Sequence, residues 1–101
     1  MKSAMKTRED IQILLSELKD SLEHDYGVRE IGLFGSYVRG DQRSGSDVDI
    51  LVEFERPVGL LEFVGLKYYL SDMLEMPVDL VMKNSLRPAI GQRILREVIY
   101  V

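Results

Sequence analysis

The sequence predicts an α/β (or α+β) domain built on one small sheet. Apolar residues recur at helical spacing in three stretches, 7–25, 60–74 and 85–101. Between them lie short apolar or alternating runs, 28–34, 47–54 and 76–82, which read as strands. Helices alternating with strands each bury one apolar face against a shared sheet. The 101 residues form a single unit, domain 1–101, undivided by any repeat, linker or low-complexity tract.

Each element has a local reason. In the first helix Ile11, Leu14, Leu15, Leu18 and Leu22 share a face. Thr7 caps its start, Glu9 and Asp10 suit the positive end of its dipole, and Gly27 after Tyr26 supplies a left-handed stop. "VREIGLF", Val28 to Phe34, is the first strand. A short helix opens at Ser36 and is ended by Gly40 and the polar loop "DQRSGS". "DVDILVEF", Asp47 to Phe54, alternates with period two and is the second strand, broken by "RPVG". Leu60 to Leu74 is a second long helix with a broad apolar face that includes Leu60, Leu61, Val64 and Tyr68. "MPVDLVM" gives a third strand, with Pro77 at its first position, where no ladder N–H is required. "SLRPAIGQRILREVIYV" closes the chain as a helix, Leu86, Ile90, Ile94 and Val98 falling four apart.

Composition excludes several kinds of chemistry. A net charge of −4 and a pI near 5.0 leave no excess of Lys or Arg to displace counterions from nucleic acid. With no cysteine and a single histidine, His24, disulfides, thiolate metal sites and multi-imidazole sites are ruled out. The opening "MKSAMKTRED", with Met5 as a second start, runs into charge rather than an apolar stretch. No segment approaches the roughly 20 apolar residues of a membrane span. The expected location is the cytoplasm.

The informative residues are acidic. Asp47 and Asp49 are two apart on a strand, so they share a face, opposite the core face of Val48, Ile50, Val52 and Phe54. Two such charges about 5–7 Å apart repel by on the order of 2–3 kcal/mol at an effective dielectric near 20. A cation between them removes that cost, and oxygen ligands without His or Cys suit Mg²⁺ or Mn²⁺. Asp79 stands alone in an otherwise apolar strand. If that strand lies beside the second, three carboxylates converge as two-metal phosphoryl transfer requires. Upstream, Gly35 lets the backbone approach an anion closely, Ser36 adds a hydroxyl and Arg39 reaches for a phosphate oxygen.

Each feature alone has a plainer reading. A lone D-x-D is commonly a surface turn, and a lone strand Asp is often an edge charge that blocks aggregation. His24 reads as solvated, the "RGD" at Arg39 to Asp41 as coincidence, and the five methionines as gap-fillers. The combination favours chemistry: Gly-Ser, ten residues, Asp-x-Asp on a strand, then one Asp on a later strand.

That combination resembles the signature of the DNA polymerase β superfamily of nucleotidyltransferases. More closely, "GLFGSYVRGDQRSGSDVDILVEF" followed by "PVDLV" resembles the minimal nucleotidyltransferases, MntA-like antitoxins paired with HEPN ribonuclease toxins. The resemblance covers roughly Val28 to Val101. It implies a small mixed sheet flanked by helices, and transfer of a nucleoside monophosphate from ATP with release of pyrophosphate. By position, Asp47 and Asp49 would ligate two Mg²⁺ ions, with Mn²⁺ as the substitute. Asp79 would join the metal site and help activate the attacking hydroxyl, and Gly35 and Ser36 would hold the triphosphate. The implied acceptor is a tyrosine of the cognate HEPN toxin, silenced by adenylylation.

About 100 residues supply a nucleotide site and little else, so the acceptor is expected from a partner. "LLEFVGLKYYL" and "REVIYV" carry more large side chains than one small core needs, either as a surface for a partner or for self-association, giving a homo- or hetero-oligomer, or as packing for Tyr68, Tyr69 and Tyr100. Two alternatives remain at this level. One is a binding module that neutralises its partner by association. The other is transfer to a small molecule or a tRNA end, against which the acidic charge and the missing acceptor domain count.

Overall fold

A computed structural model describes residues 6–101; Met5 and the residues before it lie outside the described part. The first helix, α1 (Arg8–Tyr26), begins with a capping box: the Asp10 N–H donates to the Thr7 hydroxyl at 3.1 Å, and the Thr7 N–H donates to the Asp10 carboxylate at 2.9 Å. Gly27, at φ 69°, ends it. Strand β1 (Val28–Phe34) leads into the four-residue helix α2 (Ser36–Arg39), then come β2 (Val48–Phe54), α3 (Leu60–Leu74), β3 (Val78–Met82), a 3-10 turn (Lys83–Ser85), α4 (Pro88–Glu97) and β4 (Ile99–Tyr100). No helix among the described residues is long and apolar enough to cross a membrane.

The sheet is mixed, in the order β3-β2-β1-β4. β1 runs antiparallel to β2 and β4, while β2 and β3 are parallel, α3 making the crossover that parallel neighbours need. One face takes the core: Ile11, Leu15 and Leu22 of α1 and Leu66, Leu70 and Leu74 of α3 close over Ile31, Leu33, Val48, Ile50 and Val52. Each such side chain contributes about 1.5–3 kcal/mol when fully buried. Tyr26 and Tyr69 pack ring on ring across the two helices at 5.3 Å.

Three expectations need correction. The last helix does not run to the end of the chain. Val98 is extended (φ −65°, ψ 139°), and Ile99–Tyr100 pairs with Leu33 and Gly32. The free edge of β1 offers unpaired N–H and C=O groups, and Gly32 admits the returning chain: a Cβ there would lie 2.7 Å from Val98 Cγ2. Nor does that helix start at Ser85. Arg87 is held extended by the following proline, and Pro88 occupies the first helical position, where no N–H is missed. On α3 the core face is the Leu66–Leu70–Leu74 row, which leaves Leu60, Leu61 and Tyr68 outside at 76%, 87% and 62% exposure.

Candidate active site

The site lies on the sheet face opposite the core. Because side chains alternate, burying Leu33, Ile50 and Leu80 on the core side turns Phe34, Asp49 and Asp79 to the other. The register sets these three in one row: Phe34 pairs with Asp49 across β1 and β2, and Asp49 with Asp79 across β2 and β3. Asp49 and Asp79 are therefore direct cross-strand neighbours.

Asp49 is the unusual group. Burial foremost, then the charge and close approach of Asp79, then the charge of Asp47, push its carboxyl up to about 6; the Arg39 guanidinium acts in the opposite sense. Asp47 precedes the first residue of β2, is exposed, and acts on Asp49 through its charge alone. Among the described residues no three His, Cys, Asp or Glu side chains gather as a metal-ligating group. The structure thus brings two of the predicted carboxylates together and leaves the third at the rim, because Asp47 lies beyond the strand register that aligns the other two.

Gly35 sits at the end of β1 with φ 82° and ψ −152°, backbone that an L side chain rarely adopts. The Asp49 carboxylate also rests against it, leaving no space for a Cβ. Ser36 opens α2, and its carbonyl accepts from the N–H groups of Gly40 and Asp41 at 2.9 and 3.1 Å. Tyr37 points into the core and anchors the short helix. The Gly-Ser turn, predicted from sequence, is thereby pressed against the acidic row.

Arg39 is engaged elsewhere. Its guanidinium donates to Glu97 at 3.1 Å and to Asp41 at 3.3 Å. Glu97 also accepts the Gly35 N–H at 2.6 Å. Sequence reasoning missed Glu97, although one signal was there: a carboxylate in the last turn of a helix opposes the dipole and so needs a partner elsewhere. A cavity of about 580 Å³ lies apart from this row, between Glu9, Gln12, Ile13 and Ser16 of α1 and Tyr100–Val101.

Chemically, the described residues of this face offer oxygen ligands, two of them adjacent carboxylates without an ion-pair partner among those residues, beside a turn that admits close backbone approach. That donor set fits a hard divalent cation and a phosphate ester.

Comparison with known proteins agrees with this chemistry. The chain is 53% identical over 98 residues to the protein adenylyltransferase MntA of Thermococcus cleftensis, a match covering 97% of this chain and 99% of the relative. A solved structure assigned as a minimal nucleotidyltransferase superposes with a TM-score of 0.75 at 34% identity, over 97% of this chain and 98% of the other. A crystal structure of a toxin–antitoxin with AMP-PNP gives a TM-score of 0.70 at 28% identity, over 83% and 69% of the two chains. Residues 15–101 match the nucleotidyltransferase domain family. With the acidic row, the Gly-Ser turn and the mixed sheet in place, the chain belongs to that family.

Proposed function

We propose that this protein is a divalent-metal-dependent protein adenylyltransferase that moves AMP from ATP onto a hydroxyl of a HEPN-type toxin, and so serves as its antitoxin in the cytoplasm. The observation that carries the reading is the adjacent Asp49–Asp79 pair set against the Gly35 turn. Similarity to MntA, and to a toxin–antitoxin with AMP-PNP, supports the same direction.

In this reading Asp47, Asp49 and Asp79 would hold two Mg²⁺ ions, with Mn²⁺ as a substitute. When bound, such cations neutralise the phosphates and the charge that develops on the attacking and leaving oxygens. Gly35 and Ser36 hold the triphosphate, the glycine by allowing close backbone approach and the serine through its hydroxyl. Asp79 accepts the proton of the acceptor hydroxyl at a carboxylate oxygen. That hydroxyl oxygen then bonds to the α-phosphorus as the bond to the bridging oxygen breaks, and pyrophosphate departs. The acceptor is a tyrosine presented by the partner.

Intact mass of the partner toxin after incubation with this protein, ATP and Mg²⁺ tests the proposal. The expected result is a gain of one or more adenylyl groups, absent when EDTA is present throughout the incubation. A stable complex without any mass change favours a second reading, neutralisation by association, for which the exposed Leu60, Leu61 and Tyr68 speak.

A further inference from the structure

Gly35 is gripped from two sides. The Asp49 carboxylate packs against its Cα, and Glu97 takes its N–H. Glu97 Oε2 accepts that N–H at 2.6 Å and Arg39 Nη1 at 3.3 Å, while Oε1 accepts Arg39 Nη1 at 3.1 Å. One carboxylate therefore ties the first residue of the Gly-Ser turn to the last residue of its short helix. The Glu97 side chain is only 16% exposed, so its bond to the Gly35 N–H is partly sheltered from water, while its bonds to Arg39, itself 43% exposed, face solvent.

Glu97 is also firmly mounted. It ends α4, and the chain passes directly into β4, whose residues pair with Gly32 and Leu33 of β1. The carboxylate is thus fixed to the same strand whose end it holds. A mobile competitor for the phosphate site would need a flexible support, and here the support is sheet.

We infer that Glu97 is a positioning residue for the nucleotide: by holding the Gly35 N–H and the Arg39 guanidinium, it sets the Gly35–Ser36 turn against Asp49 in the form that receives the triphosphate. This rests on the nucleotidyltransferase reading above. Glu97 touches neither the reacting phosphorus nor the metals in this scheme. Its effect falls on ATP affinity, through the shape of the turn.

The test compares the wild-type chain with Glu97→Ala and Glu97→Gln in two measurements. The first is the Gly35 amide resonance in a ¹⁵N-labelled sample without nucleotide. A short bond to a carboxylate should move it far downfield, with the shift lost in Glu97→Ala and partly kept in Glu97→Gln, whose amide oxygen still accepts. The second is the ATP dissociation constant by calorimetry with Mg²⁺ and no acceptor. Glu97→Ala should weaken binding roughly tenfold or more, and Glu97→Gln should recover most of that loss. If the wild type binds ATP and a folded Glu97→Ala binds it equally well or more tightly, the inference is wrong while the functional reading survives. If the wild type binds no ATP, both fall. Should Glu97→Ala not fold, Glu97→Asp, one methylene short, takes its place with the same expected direction.

Discussion

The two faces of β2 obey opposite rules. On one, Val48, Ile50 and Val52 are buried in the apolar core formed with α1 and α3. On the other, Asp49 is half-buried beside Asp79 and Gly35, and its burial is opposed by a second negative charge. One strand thus builds most of its stability on one side, while the other combines the buried Leu51 with a standing electrostatic cost at Asp49. In the proposed reading that asymmetry marks the active face, since a fold gains nothing from two carboxylates forced together without a ligand.

Mutations on the two faces should therefore separate activity from stability. The largest effect expected is on chemistry: Asp47→Asn combined with Asp49→Asn should lower AMP transfer to the partner by roughly a thousandfold or more, with the circular dichroism spectrum unchanged. Full labelling by this variant would remove the functional meaning of the acidic face. On the core face, Leu70→Ala should cost about 2–5 kcal/mol of unfolding free energy in urea, while molecules that remain folded keep their specific activity. A loss of specific activity beyond the unfolded fraction would show that the faces are not independent.

The smallest effect has the most informative sign. Asp49 has a folded-state pKa near 6, above its ordinary value of 3.8. The folded state therefore binds more protons than the unfolded one between these values, and stability from this group falls as pH rises through that window. Asp49→Asn lacks the penalty. In EDTA it should be more stable than the wild type by about 1 kcal/mol at pH 7.5, allowing for partial solvent screening, with the difference vanishing toward pH 4. Thermal melts of both proteins across pH 4–8 measure this directly. An inactive variant that is more stable than its parent is the signature of a functional residue held against the preference of the fold.

Much of this was legible in the residues. The capping box at Thr7, the stop at Gly27, the three main strands and the turn at Gly35 all follow from local chemistry, and the structure contains each of them. The alternation of β2 gave the face of Asp49, and the lone Asp79 gave its neighbour. What the residues concealed was non-local. Ile99 and Tyr100 continue a helical pattern, yet the open edge of β1 recruits them as a strand. Glu97 looked like one more surface charge, because its partners Gly35 and Arg39 are distant in the chain. Leu60, Leu61 and Tyr68 read by composition as either packing or a partner surface, and only the pitch of α3 against the sheet shows that the inward row is Leu66, Leu70 and Leu74. Asp47 shares a parity with Asp49, but parity says nothing of where the strand begins.

The bond from Glu97 to Gly35 spans 62 residues. Contacts of that separation are among the last a chain closes, since they wait on the elements between them. During folding, the β1–β2–β3 ladders join segments closer in sequence and can form before α4 and β4 dock. Such a partly folded chain would carry the acidic row but a Gly35 turn without its brace. Competence to receive ATP would then arrive as the final event of folding, so that the fold itself times when the activity begins.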